Sequence, residues 1–320
     1  MRLAWKRPGE WHHKMQFLGR GGVLVEYIYM RQVPECMNPR TLMFLNGIAL
    51  RHSEWKAQMH KFRDCNLLFF NARGHGRVGL GLSTPNSYLS DCGMDAAELA
   101  AHLDLRRITL VMHSMGCLVG TWMYGKAAAN RFLLDSCAHI DSMVMVSPVV
   151  GNPLATMPRR ELSVPLLGAL DRALRDGRME KFIRWYAKHF KEVPLMAPLY
   201  AAFRAATGSG VSFREFRKYL ESVLDVKSDT LLTAYGAMVD TGDGIGEMMA
   251  GIRAPVLVLT GERDFLVQPV SLEILKCRLR DYEMHLIKGA THFPQAEKPE
   301  EFNSHVAGFV GKIDGTGKGI

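Results

Sequence analysis

The chain has 320 residues, 48% hydrophobic and 22% charged, with 40 Lys and Arg against 32 Asp and Glu for a formal charge of +8. That balance belongs to an ordinary soluble globular protein, and no basic run, zinc-finger, RNP or helix-turn-helix pattern makes nucleic acid a partner. The six cysteines (Cys36, Cys65, Cys92, Cys117, Cys137, Cys277) form no C-x-x-C pair and lie near no histidine cluster, which argues against a disulfide framework or a metal site and fits reduced thiols in a cytoplasm.

Residues 1–13 read as a flexible polar lead-in, and Met1–Glu10 lacks the apolar stretch of a secretory signal. Gly22–Met30 alternates and is β-branched, and Thr41–Leu45 and Asn66–Phe70 are short apolar runs, so all three read as strands. Ser53–Phe62 reads as a helix capped by Ser53, with Trp55 and Met59 on one face. Asp95–Leu103 is a second helix leading into the strand at Ile108. Ile108–Gly125 carries no formal charge, long enough to imitate a membrane span, but it divides into a buried strand, a turn at Ser114 and a helix over Met115–Asn130. No integral membrane segment is therefore expected.

Ser142–Val146, Pro255–Thr260 and Tyr282–Ile287 complete the strands. Alternating strands and helices call for an α/β fold, with a mostly parallel central sheet flanked by helices. Between residues 150 and 240 the rhythm becomes helical and amphipathic, broken by Pro194, Pro198 and Gly208–Gly210. That stretch reads as an inserted helical cap, and 14–149 with 241–311 read as the core. Residues 312–320 read as a Gly-rich frayed tail.

Ser114 stands where the strand at Ile108 breaks into a helix, in His113-Ser-Met-Gly116. Such a turn lifts the hydroxyl clear of the backbone, close to the G-x-S-x-G elbow. A serine hydroxyl needs a base, and the base needs an orienting acid. His292 follows the last strand in Lys288-Gly-Ala-Thr-His-Phe-Pro294 and is the candidate base. Glu262 and Asp264 compete for the acid in Gly261-Glu-Arg-Asp264, and Asp264 is preferred because the neighbouring Phe265-Leu-Val267 desolvates it. All three groups follow the carboxyl ends of strands, in the order Ser, Asp, His. Oxyanion donors are expected at the Met115 N–H and at the Ile48 N–H, in the loop Asn46-Gly-Ile-Ala49.

With Asn46-Gly47, Arg73-Gly-His-Gly-Arg77, His113-Ser-Met-Gly116, Gly261-Glu-Arg-Asp264 and Thr291-His-Phe-Pro294, residues 20–311 resemble the α/β-hydrolase superfamily in its capped serine-hydrolase branch. The resemblance implies Ser114, Asp264 and His292 as a triad, Ile48 and Met115 as oxyanion donors, and no cofactor or metal. It implies a small-molecule ester or thioester as substrate, and carboxylic ester hydrolysis as the leading activity. Thioester hydrolysis, C–C bond hydrolysis and acyl transfer use the same parts, and some relatives on this fold are ligand receptors. Trp185 and Tyr186 in the cap, with His113 beside the nucleophile, are the candidate pocket residues. Arg172, Arg175, Arg178, Lys181 and Arg184 fit an anionic substrate or a solvated helix face equally well. The chain departs from the family pattern at Met112, Cys117, Asn46 and Asn71. Of these Met112 matters most, because its bulk beside a strained turn must find space.

Overall fold

The structure is a computed structural model that describes residues 15–76, 79–129, 139–150, 172, 181, 197, 200–201, 204, 212–240, 244–264, 266–267 and 269–315. Its centre is an eight-stranded sheet in the order β1-β2-β4-β3-β5-β6-β7-β8. The strands are β1 (Met15–Leu18), β2 (Leu24–Met30), β3 (Thr41–Leu45), β4 (Asn66–Phe70), β5 (Ile108–His113), β6 (Ile140–Val146), β7 (Val256–Gly261) and β8 (Tyr282–Ile287). β1 and β2 pair antiparallel, and every pairing from β4 to β8 is parallel.

Interior strands of a parallel sheet are covered on both faces, so they read as unbroken apolar runs. Thr41–Leu45, Asn66–Phe70 and Tyr282–Ile287 are strands with the bounds expected from sequence. Their side chains still alternate between two cores. Met43, Leu45, Leu110 and Met112 pack on one face. Leu42, Phe44, Val111 and Val144 pack on the other, with Trp55, Phe62 and Phe302.

Helix α1 (Pro85–His102) begins ten residues before the helix expected at Asp95. Pro85 occupies its first turn and Thr84 and Ser87 form a reciprocal capping box, a start signal independent of hydrophobic periodicity. Helix α2 (Met115–Ala129) follows β5 directly. Residues 52–62 differ from expectation. A 3₁₀ turn covers His52–Trp55 and further turns follow it. The segment is pinned by tertiary bonds, Trp55 Nε1 to Asn46 Oδ1 and Gln58 Nε2 to Gln295 O and Asn303 Oδ1, while its backbone makes turn bonds such as Gln58 N–H to Trp55 O and Lys61 N–H to Gln58 O.

Most of residues 150–240 lie outside the described residues, as do Trp185 and Tyr186. Those described at 212–240 form α3 (Phe213–Asp225) and α4 (Ser228–Asp240), and α4 packs along α1 through the core that holds Ala234, Ala237 and Met238. Arg172 and Lys181 are exposed. Then come α5 (Gly244–Ala250), α6 (Pro269–Arg278), α7 (Pro294–Glu297) and α8 (Pro299–Ile313). Residues 312–315 depart from the frayed tail expected over 312–320. α8 runs through Ile313, and the Asp314 carboxylate takes the buried Arg40 guanidinium, which also binds Asp141 and Thr109 beneath β3, β5 and β6. Among the described residues no helix is long and apolar enough to cross a membrane.

Candidate active site

Ser114 is the one residue between β5 and α2, and its φ of +51° puts a non-glycine residue in the left-handed region. That conformation costs an L-residue roughly 1–2 kcal/mol and persists only where its surroundings fix it. Two backbone bonds do so here. The Ser114 N–H donates to Val146 O on β6 (2.9 Å), and the Ser114 carbonyl accepts from Cys117 N–H (2.9 Å). Gly116 lets the first turn of α2 press against the end of β3, where a Cβ would fall 2.3 Å from Leu45 O. The sharp turn and the close approach are thus encoded by Ser-Met-Gly immediately after an apolar strand.

The loop leaving β3 faces this turn. Its Asn46 joins Trp55 and Asn71 through side-chain hydrogen bonds. Ala49 has φ of +61°, and its N–H donates to His75 Nε2 at 2.9 Å. Among the described residues no hydrogen bond forms from the Ile48 or Met115 N–H.

Asp264 and His292 meet as the sequence predicts. His292 Nδ1 lies 3.0 Å from each oxygen of Asp264, and both side chains are nearly buried. Asp264 Oδ1 also accepts the Leu266 and Val267 N–H groups at 2.9 and 3.0 Å. Burial pushes the Asp264 carboxyl up, but the His292 imidazole and the Val267 N–H more than offset this and hold it below the usual carboxylate range. Glu262, the competing acid, turns away and caps the Gly289 N–H at 2.9 Å. The loop carrying His292 is itself tied down by Thr291, whose N–H and hydroxyl both donate to Glu297.

His113 is fully buried, with its ring 5.0 Å from that of His292. Its Nδ1 lies 2.9 Å from Glu54 Oε2, and its Nε2 lies 2.9 Å from the His292 carbonyl oxygen. The loop holding His292 therefore rests directly against the residue that precedes Ser114. Sequence reasoning did not single out Glu54. His75 was noted only as part of a turn motif, and the structure places it as the acceptor that holds Ala49.

A positive-φ serine between a parallel strand and a helix, beside a His–Asp pair carried on later strand ends, defines the architecture of an α/β hydrolase. A family model described as "Alpha/beta hydrolase family" matches residues 42–305, and the chain belongs to that family. A curated relative, 2-succinyl-6-hydroxy-2,4-cyclohexadiene-1-carboxylate synthase from Salmonella paratyphi A, is 19% identical over 275 residues, covering 85% of this chain and 94% of the relative. Similar solved structures include a hydrolase from Pseudomonas aeruginosa PA01, with TM-score 0.68 and 19% identity over 95% of this chain and all of that one. A thermophilic esterase from Thermogutta terrifontis has TM-score 0.64 and 18% identity over 94% of this chain and 99% of that one. At these identities the structural likeness speaks for the fold alone.

Proposed function

We propose that the protein is a serine hydrolase acting on carboxylic esters with a largely apolar acyl or alcohol part. The single observation that carries this reading is the His292–Asp264 pair at 3.0 Å, set against the strand end where Ser114 adopts φ of +51°. In this reading Ser114 Oγ attacks the ester carbonyl while His292 Nε2 takes its proton. Asp264 holds Nδ1–H and stabilises the imidazolium. The Ile48 and Met115 N–H groups receive the developing oxyanion, each contributing about 3–4 kcal/mol to the barrier reduction. His292 returns the proton to the leaving alcohol, then activates the water that releases the acid. The buried free thiols Cys65, Cys92 and Cys117 fit a reducing cytoplasm.

The test is a fluorophosphonate probe together with ester, thioester and diketone substrates on the purified chain. Wild type should be labelled and should turn over short esters, and Ser114→Ala should do neither. A folded wild type that neither labels nor hydrolyses any ester overturns the proposal. Turnover of the thioester or diketone in place of the ester would keep the triad and reassign the substrate.

A further inference from the structure

His113 stands one residue before Ser114, and both of its ring nitrogens face oxygen atoms. A backbone carbonyl can only accept a hydrogen bond, and so can an ionised carboxylate. A neutral imidazole has one N–H and would satisfy only one of these two. The Glu54 carboxyl is already an acceptor elsewhere, taking the Gly47 N–H at Oε1 (3.2 Å) and Gln295 Nε2 at Oε2 (3.4 Å). Three N–H groups converge on it if His113 carries both protons. Gly47 also lies close against the ring, since a Cβ there would fall 2.9 Å from His113 Nδ1.

We infer that Glu54 and His113 form a buried carboxylate–imidazolium pair that positions the catalytic parts against one another. The imidazolium ties the His292 backbone to the end of β5, directly before Ser114. The carboxylate ties the same ring to Gly47, in the loop that carries Ile48. The positioning role rests on the triad proposed above, whereas the charge state of the pair does not. Neither residue touches a reacting atom, so both act through His292 and the oxyanion loop.

The pair has a pH signature. The charged or titratable groups facing His113 are Glu54 from the turn after β3, Asp264 from the loop after β7 and His292 from the loop after β8. Burial lowers the affinity of His113 for its proton, but Glu54, the His292 carbonyl and Asp264 together raise it above the ordinary histidine value. A raised folded value means that the contribution is complete below about pH 6.5 and is lost as pH rises through the folded value. Once the ring is neutral, either Glu54 or the His292 carbonyl loses its donor.

Histidine ¹⁵N NMR on the full chain tests the charge state, with Glu54→Gln and His113→Gln as variants. Both nitrogens of His113 should carry protons at neutral pH, and Glu54→Gln should move its titration to lower pH. In kinetics on a p-nitrophenyl ester, Glu54→Gln should lower kcat roughly 10²-fold, as expected for a misplacement of about 1 Å. KM should change little, and the alkaline limb of kcat/KM should move to lower pH. If Glu54→Gln does not fold, His113→Gln should show the same fall in kcat with that alkaline limb removed. A neutral His113 in wild type overturns the pair. Unchanged kcat and pH profile in Glu54→Gln overturn the positioning role. A wild type inert to both probe and ester overturns the triad reading, and with it the positioning role, while the NMR result still decides the pair.

Discussion

The thioether of Met112 occupies the space where a side chain on residue 120 would have to go: a Cβ built at Gly120 would lie 2.1 Å from Met112 Sδ. Met112 is fully buried two residues before Ser114, where the family pattern carries a small residue. Its bulk is accommodated by a glycine on α2, one helix face away, so the elbow itself need not shift.

Gly120→Ala should therefore destabilise the fold by about 1–3 kcal/mol through overpacking, although alanine is the better helix former. In a Met112→Ala background the same substitution should become stabilising by about 1 kcal/mol, since the cavity then has room for the methyl group. Urea denaturation of the four proteins in this cycle checks it. A Gly120→Ala cost that persists unchanged without Met112 would mean that the two residues are not coupled.

What the sequence disclosed follows from this kind of packing. β3 and β4 were legible because strands buried on both faces read as apolar runs, and the edge strand β8 was legible from the alternation of Tyr282, Met284 and Leu286 with Glu283 and His285. Asp264 and His292 were legible because their loops follow the carboxyl ends of β7 and β8. α1 was cut short because its first turns, Pro85-Asn-Ser-Tyr88, carry a capping signal and little periodicity. The edge strand β1 and the C-terminal α8 were not read, although Phe302, Val306, Phe309 and Val310 of α8 recur at helical spacing. Glu54 was out of reach, since its partner His113 lies 59 residues away in the chain and no local pattern links them. Gly120 looked like an ordinary helix glycine until Met112 was seen against it.

The two acids after β7 separate cleanly. Asp264 accepts from His292, Leu266 and Val267, whereas Glu262 caps one turn N–H. Asp264→Asn should preserve the fold but lower kcat by about 10⁴, because an amide presents an N–H where the imidazole needs an acceptor. Glu262→Gln should cost no more than about 1 kcal/mol of stability and leave turnover within about twofold. Ester turnover and thermal unfolding of both variants decide it. Activity kept in Asp264→Asn and lost in Glu262→Gln would reverse the assignment.

His75 gives the fold an acid limit of its own. Burial drives its pKa down to about 4 from an ordinary value of 6.5, since the neutral ring accepts the Ala49 N–H at Nε2 and donates from Nδ1 to the Arg73 carbonyl. The unfolded chain binds the proton first as pH falls, so the His75 contribution is full above about pH 6.5 and is lost between there and about pH 4. The shift corresponds to about 3 kcal/mol. Asp264 has its carboxyl held below the ordinary 3.8, so its own loss begins near that value and falls mostly at lower pH than that of His75. Protonation puts an N–H on Nε2 facing the Ala49 N–H, which pushes apart the loop carrying Ile48. Urea titrations at about pH 7 and about pH 4.5 should show a large loss of stability in wild type, and His75→Gln should start lower but lose far less. Equal losses in the two proteins would place the acid limit elsewhere.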